Sequence, residues 1–596
     1  MNLNDILDEL EKPTMSDESE VSDEDDESSE MVKQTEAHDL YIMPANDGAV
    51  TDEDSGEEES VDISNLPATQ LTAFAVIESS GSQDDADEGV ERQESQEKKI
   101  IKLRKWKAQD LPEKTNVPCY PYKPSVADIP RTPSQTLELF LDVLAIDHLV
   151  KQTVNYAIQN GKHSFTLTSD EMKTFIGILL VSGYCCVPRR RLYWQRQPDV
   201  YNELIADSMR RDRFDERMKF FHAADNTKLP KNDKYGKVSP LMEILNDNFL
   251  KYGEVFGPSN ISIDESMIPY FGRYPTKQFI RGKPVRWGYK AWVAADPNGY
   301  VFYISVYQGK DGAKDKANAA YGLGGKVVLD VLDVIEKYYP TKKLSLYFDN
   351  FFTSLKLIEK IKSMGHDATG TLRKNRIEKC PFTNPAKFMK LPRGSEEHFC
   401  DAESGIIAAR WHDNGIVTIA SSEYGVSPVV KAERYVASQK KRMNVLMPNA
   451  IHQYNRKMGG VDRLDQNIAQ YRPSIRGKKW YFPIITYLIT VCVNNAWIFA
   501  REGGYKEDML SFIRAAATEW LQNHGKKPNN PGRSRSVLSV AGVSAQMRYD
   551  NVGHHIVKTD PPRRCRCRLC NSQTVFICQK CKVYLHQKCS VQYHTM

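Results

Sequence analysis

The sequence predicts an α/β protein of several domains, on three observations. Between residues 259 and 372, strand-like and helix-like stretches follow one another in the order β-β-β-α-β-α-β. On either side of that segment apolar residues recur at helical spacing. The C-terminus carries paired cysteines and histidines at metal-ligand intervals. At 596 residues the chain is also too long for one hydrophobic core.

Ile261–Ser266 alternates apolar and polar side chains and reads as the first strand. Lys290–Ala295 and Tyr300–Tyr307 are the next two, joined by the turn Asp296-Pro297-Asn298-Gly299. A glycine-led helix, Gly324–Tyr338, precedes a fourth strand ending at Asp349. A helix at Ser354–Met364 and a strand at Ala368–Leu372 complete the set. By analogy of pattern this is the order of an RNase H-like core, in which strands one and four lie side by side.

Four aspartates punctuate this core. Asp264 lies on the first strand, Asp349 closes the fourth, and Asp462 and Asp465 sit three apart in Gly459–Gln466. That spacing puts the last two on one helix face. Converging carboxylates suit divalent ions that align a water and a phosphodiester, which points to metal-dependent DNA cutting. Singly, each has a structural reading as a turn former or helix cap. Together they favour chemistry. Glu265 falls on the opposite strand face and is expected to be structural.

The flanks complete the organisation. Thr136–Val150, with Ser134 or Thr136 as N-cap, and Thr168–Tyr184 open a helical DNA-binding and dimerisation domain over residues 132–258. Residues 373–437, with strands Ile406–His412 and Ile416–Ser421, form a β-rich insertion. One helix, Asn449–Tyr471, ends the core within residues 438–471. Residues 472–530 return to the helical domain, where the apolar helix Trp480–Ala500 packs back on it. A linker of residues 531–553 leads to a metal module at 554–596.

Charge narrows the partner. Residues 1–97 carry 31 acidic and 3 basic side chains and read as a disordered tail, with acidic blocks at Ser16–Glu30, Thr51–Ser60 and Asp84–Glu91. Ser22 and Ser55 there resemble phosphorylation sites of acidophilic kinases. The rest carries 78 Lys/Arg against 46 acids, a net of +32, which calls for a polyanion such as nucleic acid. In the basic linker of residues 98–131, Lys98–Lys107 reads as a nuclear-entry patch or a DNA arm, without a choice between them. Three patches interleave cations with aromatics: Arg189, Arg190 and Arg191; Arg211 and Arg213; Arg476, Lys478 and Lys479. Each also fits a salt-bridged surface. No apolar run of about 18 residues is evident, so no membrane span or secretory signal is expected.

The tail reads Cys567-x2-Cys570-x7-Cys578-x2-Cys581-x4-His586-x2-Cys589-x4-His594. Seven ligands fall one short of two tetrahedral zinc sites, and His554 or Cys565 supplies the eighth. A cross-brace pairs Cys567, Cys570, His586 and Cys589 on one Zn2+ and Cys578, Cys581, His594 and His554 on the other.

With these residues in hand the chain resembles the piggyBac transposase family over most of residues 130–596. The resemblance rests on Ser262–Met267, Arg281-Gly282-Lys283-Pro284, Phe348–Ser354, Gly370–Arg376 and Gly459–Gln466. It implies a nuclear cut-and-paste DNA transposase with Mg2+ or Mn2+ at Asp264, Asp349 and Asp462, and Asp465 also required. It further implies cleavage beside terminal inverted repeats through hairpinned ends, joining at TTAA sites, and a homodimer holding two ends. DNA contacts at Lys283, Arg373, Lys374 and Arg376 belong to the same expectation, as does end recognition by the zinc module. The alternative is a domesticated, non-catalytic DNA-binding or chromatin protein.

Overall fold

A computed structural model describes residues 38–42, 75–79, 104–112, 129–257, 259–280, 283–309, 319–436, 440–527 and 548–595. The acidic blocks, Ser22, Ser55, Lys98–Leu103, Arg281-Gly282 and residues 528–547 lie outside them. The chain divides into two units, Met1–Lys527 and Pro528–Met596. Within the acidic segment two strands, β1 (His38–Ile42) and β2 (Ala75–Ser79), pair antiparallel.

The helical region opens with α1 (Pro133–Phe140), capped reciprocally by Thr132 and Gln135. Asp142 caps a second helix, α2 (Val143–Gln159). The single expected helix Thr136–Val150 is therefore two, because Asp142 accepts the Ala145 N–H and restarts the helix. α3 (Ser169–Tyr184) carries the same kind of cap from Thr168 and Glu171. α4 (Glu203–Ser208), α5 (Arg211–Phe220) and α6 (Ser239–Gly253) follow. α1 packs against α12 (Phe482–Glu502), and α3 against α13 (Met509–His524).

α12 corrects one premise of the sequence reading, that no apolar run reaches about 18 residues, and bears out its packing on the helical region. By length and composition it is apolar enough to span a bilayer. Its side chains are buried in protein instead, and Asn494 and Asn495 bond the backbone of Gly299 and Val301. A helix apolar all round is here a core helix.

The central sheet runs β3-β10-β11-β12-β9-β8-β4-β6-β5, with β7 also on β6. Its strands are β3 (Trp106–Lys107), β4 (Asn260–Pro269), β5 (Gln278–Phe279), β6 (Trp287–Ala295), β7 (Val301–Val306), β8 (Ser345–Phe348), β9 (Asp367–Thr371), β10 (Glu396–Asp401), β11 (Ile406–His412) and β12 (Ile416–Ser421). β4 and β8, the strands expected as first and fourth of the 259–372 segment before the short β5 is counted, are parallel neighbours, with Ile263 opposite Phe348. α7 (Gly322–Tyr338) and α8 (Leu355–Ser363) connect around β8. After α9 (Pro385–Phe388), the β-rich insertion extends the same sheet through β12–β9 pairing rather than forming a sheet apart. It runs past residue 437, because β13 (Val430–Val436) pairs with β14 (Lys441–Met447).

Residues 104–112 differ most from expectation. Trp106 and Lys107 add a strand to the insertion's edge, opposite Asp401 and Cys400. Arg104 is buried between Asp401 at 3.0 Å, Glu378 at 2.5 Å and Glu359 at 3.3 Å. An arginine committed to three carboxylates is an anchor, not a DNA arm. Arg104→Ala leaves Asp401 buried without its cation, at a cost of roughly 3 kcal/mol. The expected result is loss of hydrogen-exchange protection at the Ala402 amide, which donates to Lys105. Retained protection there contradicts the anchor.

The single expected helix over Asn449–Tyr471 is also two: α10 (Asn449–Lys457) and α11 (Gly460–Gln470). In the second unit, β15 (Ile556–Lys558) pairs with β18 (Phe576–Cys578), and β16 (Cys565–Arg566) with β17 (Gln573–Thr574). α14 (Gln587–Thr595) closes that unit.

Candidate active site and metal centres

Parallel pairing puts the residues after Ile263 and Phe348 at neighbouring positions, so Asp264, midway along β4, stands beside Asp349, where the chain leaves β8. Asp349 accepts the Phe351 N–H at 2.9 Å, which folds the chain back after β8. Arg376 donates to the carbonyls of Asn350, Phe351 and Thr353 and holds that turn. Gly370 permits it, since a Cβ there would collide with Thr353 Oγ1 and the Phe348 carbonyl.

α11 reaches the same end of the sheet because Gly460 has no side chain. A Cβ would overlap the Asp296 carbonyl and Ser262 Oγ, the latter on β4. This close approach explains the break before α11. Asp462 is exposed in the first turn, and Asp465 is half-buried. Ser266 on β4 donates to Asp465 at 2.5 Å and Tyr487 on α12 donates to Ser266 at 2.9 Å. Asp465 is thereby held inward by a relay that sequence reading missed. The only available signal for it was the position of Ser266 two residues after Asp264.

Burial, with Glu265 and Asp349 adding to it, pushes the Asp264 carboxyl up to about 8. Burial also raises Asp349, and raises Asp465 to about 6. Lys283 is the nearby counter-charge. Burial would lower it, but Asp264, Glu265 and Asp462 hold its ammonium above the ordinary value. Its direct partner is Glu265 at 3.4 Å, and Lys290 stands 3.9 Å from the same carboxylate. Glu265 thus holds two lysines, one of them the counter-charge of Asp264, which its place on the opposite strand face did not lead one to expect.

Hard oxygen donors short of positive charge fit a divalent cation of the Mg2+ or Mn2+ type. Among the described residues the aspartates do not draw within 4.8 Å of one another as a group; two Cys/His quartets do. For Asp264 the effect of pH has a definite sign. The fold favours protonated Asp264 over the unfolded chain, a preference fully present below about 4 and lost as pH rises through about 8. A divalent cation bound there would have to displace that proton, so apparent Mn2+ affinity is expected to fall roughly tenfold per unit from pH 8 to pH 6. Calorimetric titration at several pH values checks this, and a flat profile contradicts it.

The structure sorts the expected DNA contacts. Arg213 pairs with Glu171 at 2.9 Å and Glu216 at 3.2 Å, and Lys479 donates to the Phe221 carbonyl over the Tyr156 ring. With Arg376 these are anchors within the fold. Arg190 and Arg191 share Asp215, and Arg211 pairs with Asp212, in part-exposed pairs. Such pairs contribute only about 0–1 kcal/mol, so a phosphate can replace them. Arg189, Arg373, Lys374, Arg476 and Lys478 are exposed, and Lys283 is half-buried beside the carboxylates.

In the second unit the Cys/His residues gather as the spacing led one to expect, with His554 rather than Cys565 completing the set. His554, Cys578, Cys581 and His594 form one group; Cys567, Cys570, His586 and Cys589 form the other. Each group's ligand atoms lie within 4.8 Å of one another. Both groups could hold zinc. Outer partners fix the rings: His554 Nε2 meets Asp550 at 3.0 Å, His586 Nε2 meets the Gln573 carbonyl at 3.0 Å, and His594 Nδ1 meets the Arg548 carbonyl at 3.0 Å. The remaining nitrogens face their cysteines or, for His594 Nε2, lie buried with no hydrogen-bond partner. An orphaned buried imidazole nitrogen fits a metal ligand.

A family model described as "Transposase IS4" matches residues 132–497. The human PiggyBac transposable element-derived protein 3 is 38% identical over 587 residues, covering 94% of this chain and 96% of its own length. The chain belongs to the piggyBac-type transposase family. Human PiggyBac transposable element-derived protein 2 is 36% identical, covering 90% and 89% of the two chains. The piggyBac transposase solved by cryo-EM as a synaptic complex with hairpin DNA shares the fold. It has a TM-score of 0.54 and 19% identity, and the match covers 78% of this chain and 98% of that one.

Proposed function

We propose that this piggyBac-family chain is a metal-dependent cut-and-paste DNA transposase whose site is Asp264, Asp349 and Asp462, supported by Asp465. The observation that carries the reading is the parallel β4–β8 register, which sets Asp264, midway along β4, beside Asp349, the residue that follows the end of β8. The strand order also supports an RNase H-like core. Mg2+ or Mn2+ held there would supply Lewis-acid activation of the attacking water or 3′-hydroxyl and stabilise the leaving oxygen. Asp264 and Asp349 present the paired carboxylates, and Glu265 keeps Lys283 against them. Ser266 and Tyr487 fix Asp465, which sets the rotation of α11 and so the direction of Asp462. Arg376 holds the turn after Asp349, while exposed Arg373 and Lys374 meet phosphate.

In this reading the protein cuts beside terminal inverted repeats, passes through hairpinned ends and joins at TTAA, as a nuclear homodimer. Two Zn2+ brace the C-terminal unit that reads the ends, and phosphorylation deepens the charge of the acidic tail. The test is incubation with Mg2+ and TTAA-flanked DNA bearing the element's own ends. Hairpinned products support the transposase. The names of the two human relatives, both element-derived proteins, favour a second reading as a non-catalytic DNA-binding protein. Binding without cleavage is that reading's outcome.

A further inference from the structure

The ribbon β13–β14 stands apart from the sites above. Its register pairs Lys431 with Leu446, Glu433 with Asn444 and Tyr435 with Arg442 on one face, and all six side chains are exposed. The other face carries Ala432, Val445 and Met447, which are buried against the insertion. Trp411 donates to the Leu446 carbonyl at 2.8 Å, and Arg434 is drawn inward to Asp413 at 3.2 Å. The inner face is therefore rooted and the outer face is left open. Alternation over the rooted half of the ribbon, from Val430/Met447 to Ala432/Val445, shows which face the fold needs there.

The open face and its tip are basic and aromatic. Residues 431–447 carry five cations, Lys431, Arg434, Lys440, Lys441 and Arg442, against the single acid Glu433. Tyr435 is 60% exposed and Leu446 54% exposed, unusual for a monomer's surface ribbon. Glu433 meets Arg442 at 3.0 Å, but both are largely exposed, and such a pair is worth about 0–1 kcal/mol. It gives way to a phosphate. A two-stranded ribbon is also of a width that the major groove of duplex DNA admits.

We propose that the outer face of β13–β14 and the adjoining hairpin tip are a duplex-DNA contact of the insertion, with Lys431 and Arg442 on the outer face and Lys441 at the tip meeting phosphates, and Tyr435 against base or sugar. The proposal rests on the reading of the chain as a DNA-processing protein and adds a contact remote in sequence from the patches above. The probe is a 40-base-pair duplex with a central TTAA, bound by the full chain at a series of salt concentrations. The triple variant Lys431→Ala/Lys441→Ala/Arg442→Ala is expected to reduce the slope of log affinity against log salt by roughly 2.7, about 0.9 per lost contact. All three side chains are exposed, so its melting temperature should match wild type. An unchanged slope overturns the contact.

A photo-crosslinking side chain in place of Tyr435 gives an independent reading in an otherwise intact chain. Crosslinks to the duplex support the proposal. Crosslinks to the chain's own acidic segment or to a second copy overturn it. Should wild type bind without cutting while the triple variant loses its salt slope, the ribbon contact stands and the enzyme reading falls. Should the variant bind and cut as wild type does, the ribbon contact alone falls.

Discussion

Asp349→Asn is expected to lower Mg2+-dependent strand cleavage by roughly a thousandfold, equivalent to about 4 kcal/mol of transition-state stabilisation. The fold should not suffer. Burial raises the Asp349 carboxyl, so its charge is disfavoured in the metal-free protein. An amide oxygen can still accept the Phe351 N–H that shapes the turn. Activity should therefore collapse while the melting temperature holds or rises. That combination separates a functional carboxylate from a turn former, whose loss would lower stability instead. Cleavage kinetics and thermal unfolding on the same preparations give both numbers.

Removing zinc is the second large effect. A strong chelator is expected to abolish hydrogen-exchange protection across residues 548–595 while α1–α13 keep theirs. The unit's buried cluster consists of Cys567, Cys578, Cys581, Leu585, Cys589 and Tyr593, four of them thiols, too little to fold on alone. Structural zinc supplies on the order of 10–16 kcal/mol in small domains of this kind. Cys578→Ser should drop bound zinc from two ions to one by metal analysis. Cys565→Ser should leave two, because His554 and not Cys565 faces Cys578 and Cys581. Loss of zinc from Cys565→Ser would reverse the assignment.

Much of this was legible in the sequence. Strand alternation around Asp264, and the apolar run closing at Asp349, fixed two strands whose adjacency the sheet order bears out. Ligand spacing, read as a cross-brace, paired seven of the Cys/His residues and left the eighth between His554 and Cys565, which the structure decides for His554. What escaped reading depends on contacts between distant segments. Asp142 as a helix-restarting cap looks like any helical polar residue until its side chain turns to Ala145. Arg104 sits in a basic run that reads as a nuclear-entry patch or a DNA arm, and only Asp401, Glu378 and Glu359 make it a buried anchor. Gly460 looks like a simple helix breaker, whereas its role is the approach of α11 to Asp296 and Ser262.

The central claim is that Asp264, Asp349 and Asp462 together hold divalent metal. Mn2+ binding measured by electron paramagnetic resonance on wild type, Asp264→Asn and Asp462→Asn, near pH 8, tests it most directly. The account predicts saturable Mn2+ binding by wild type, and at least tenfold weaker binding by each variant, through lost carboxylate ligation. Equal Mn2+ binding by all three proteins would contradict it.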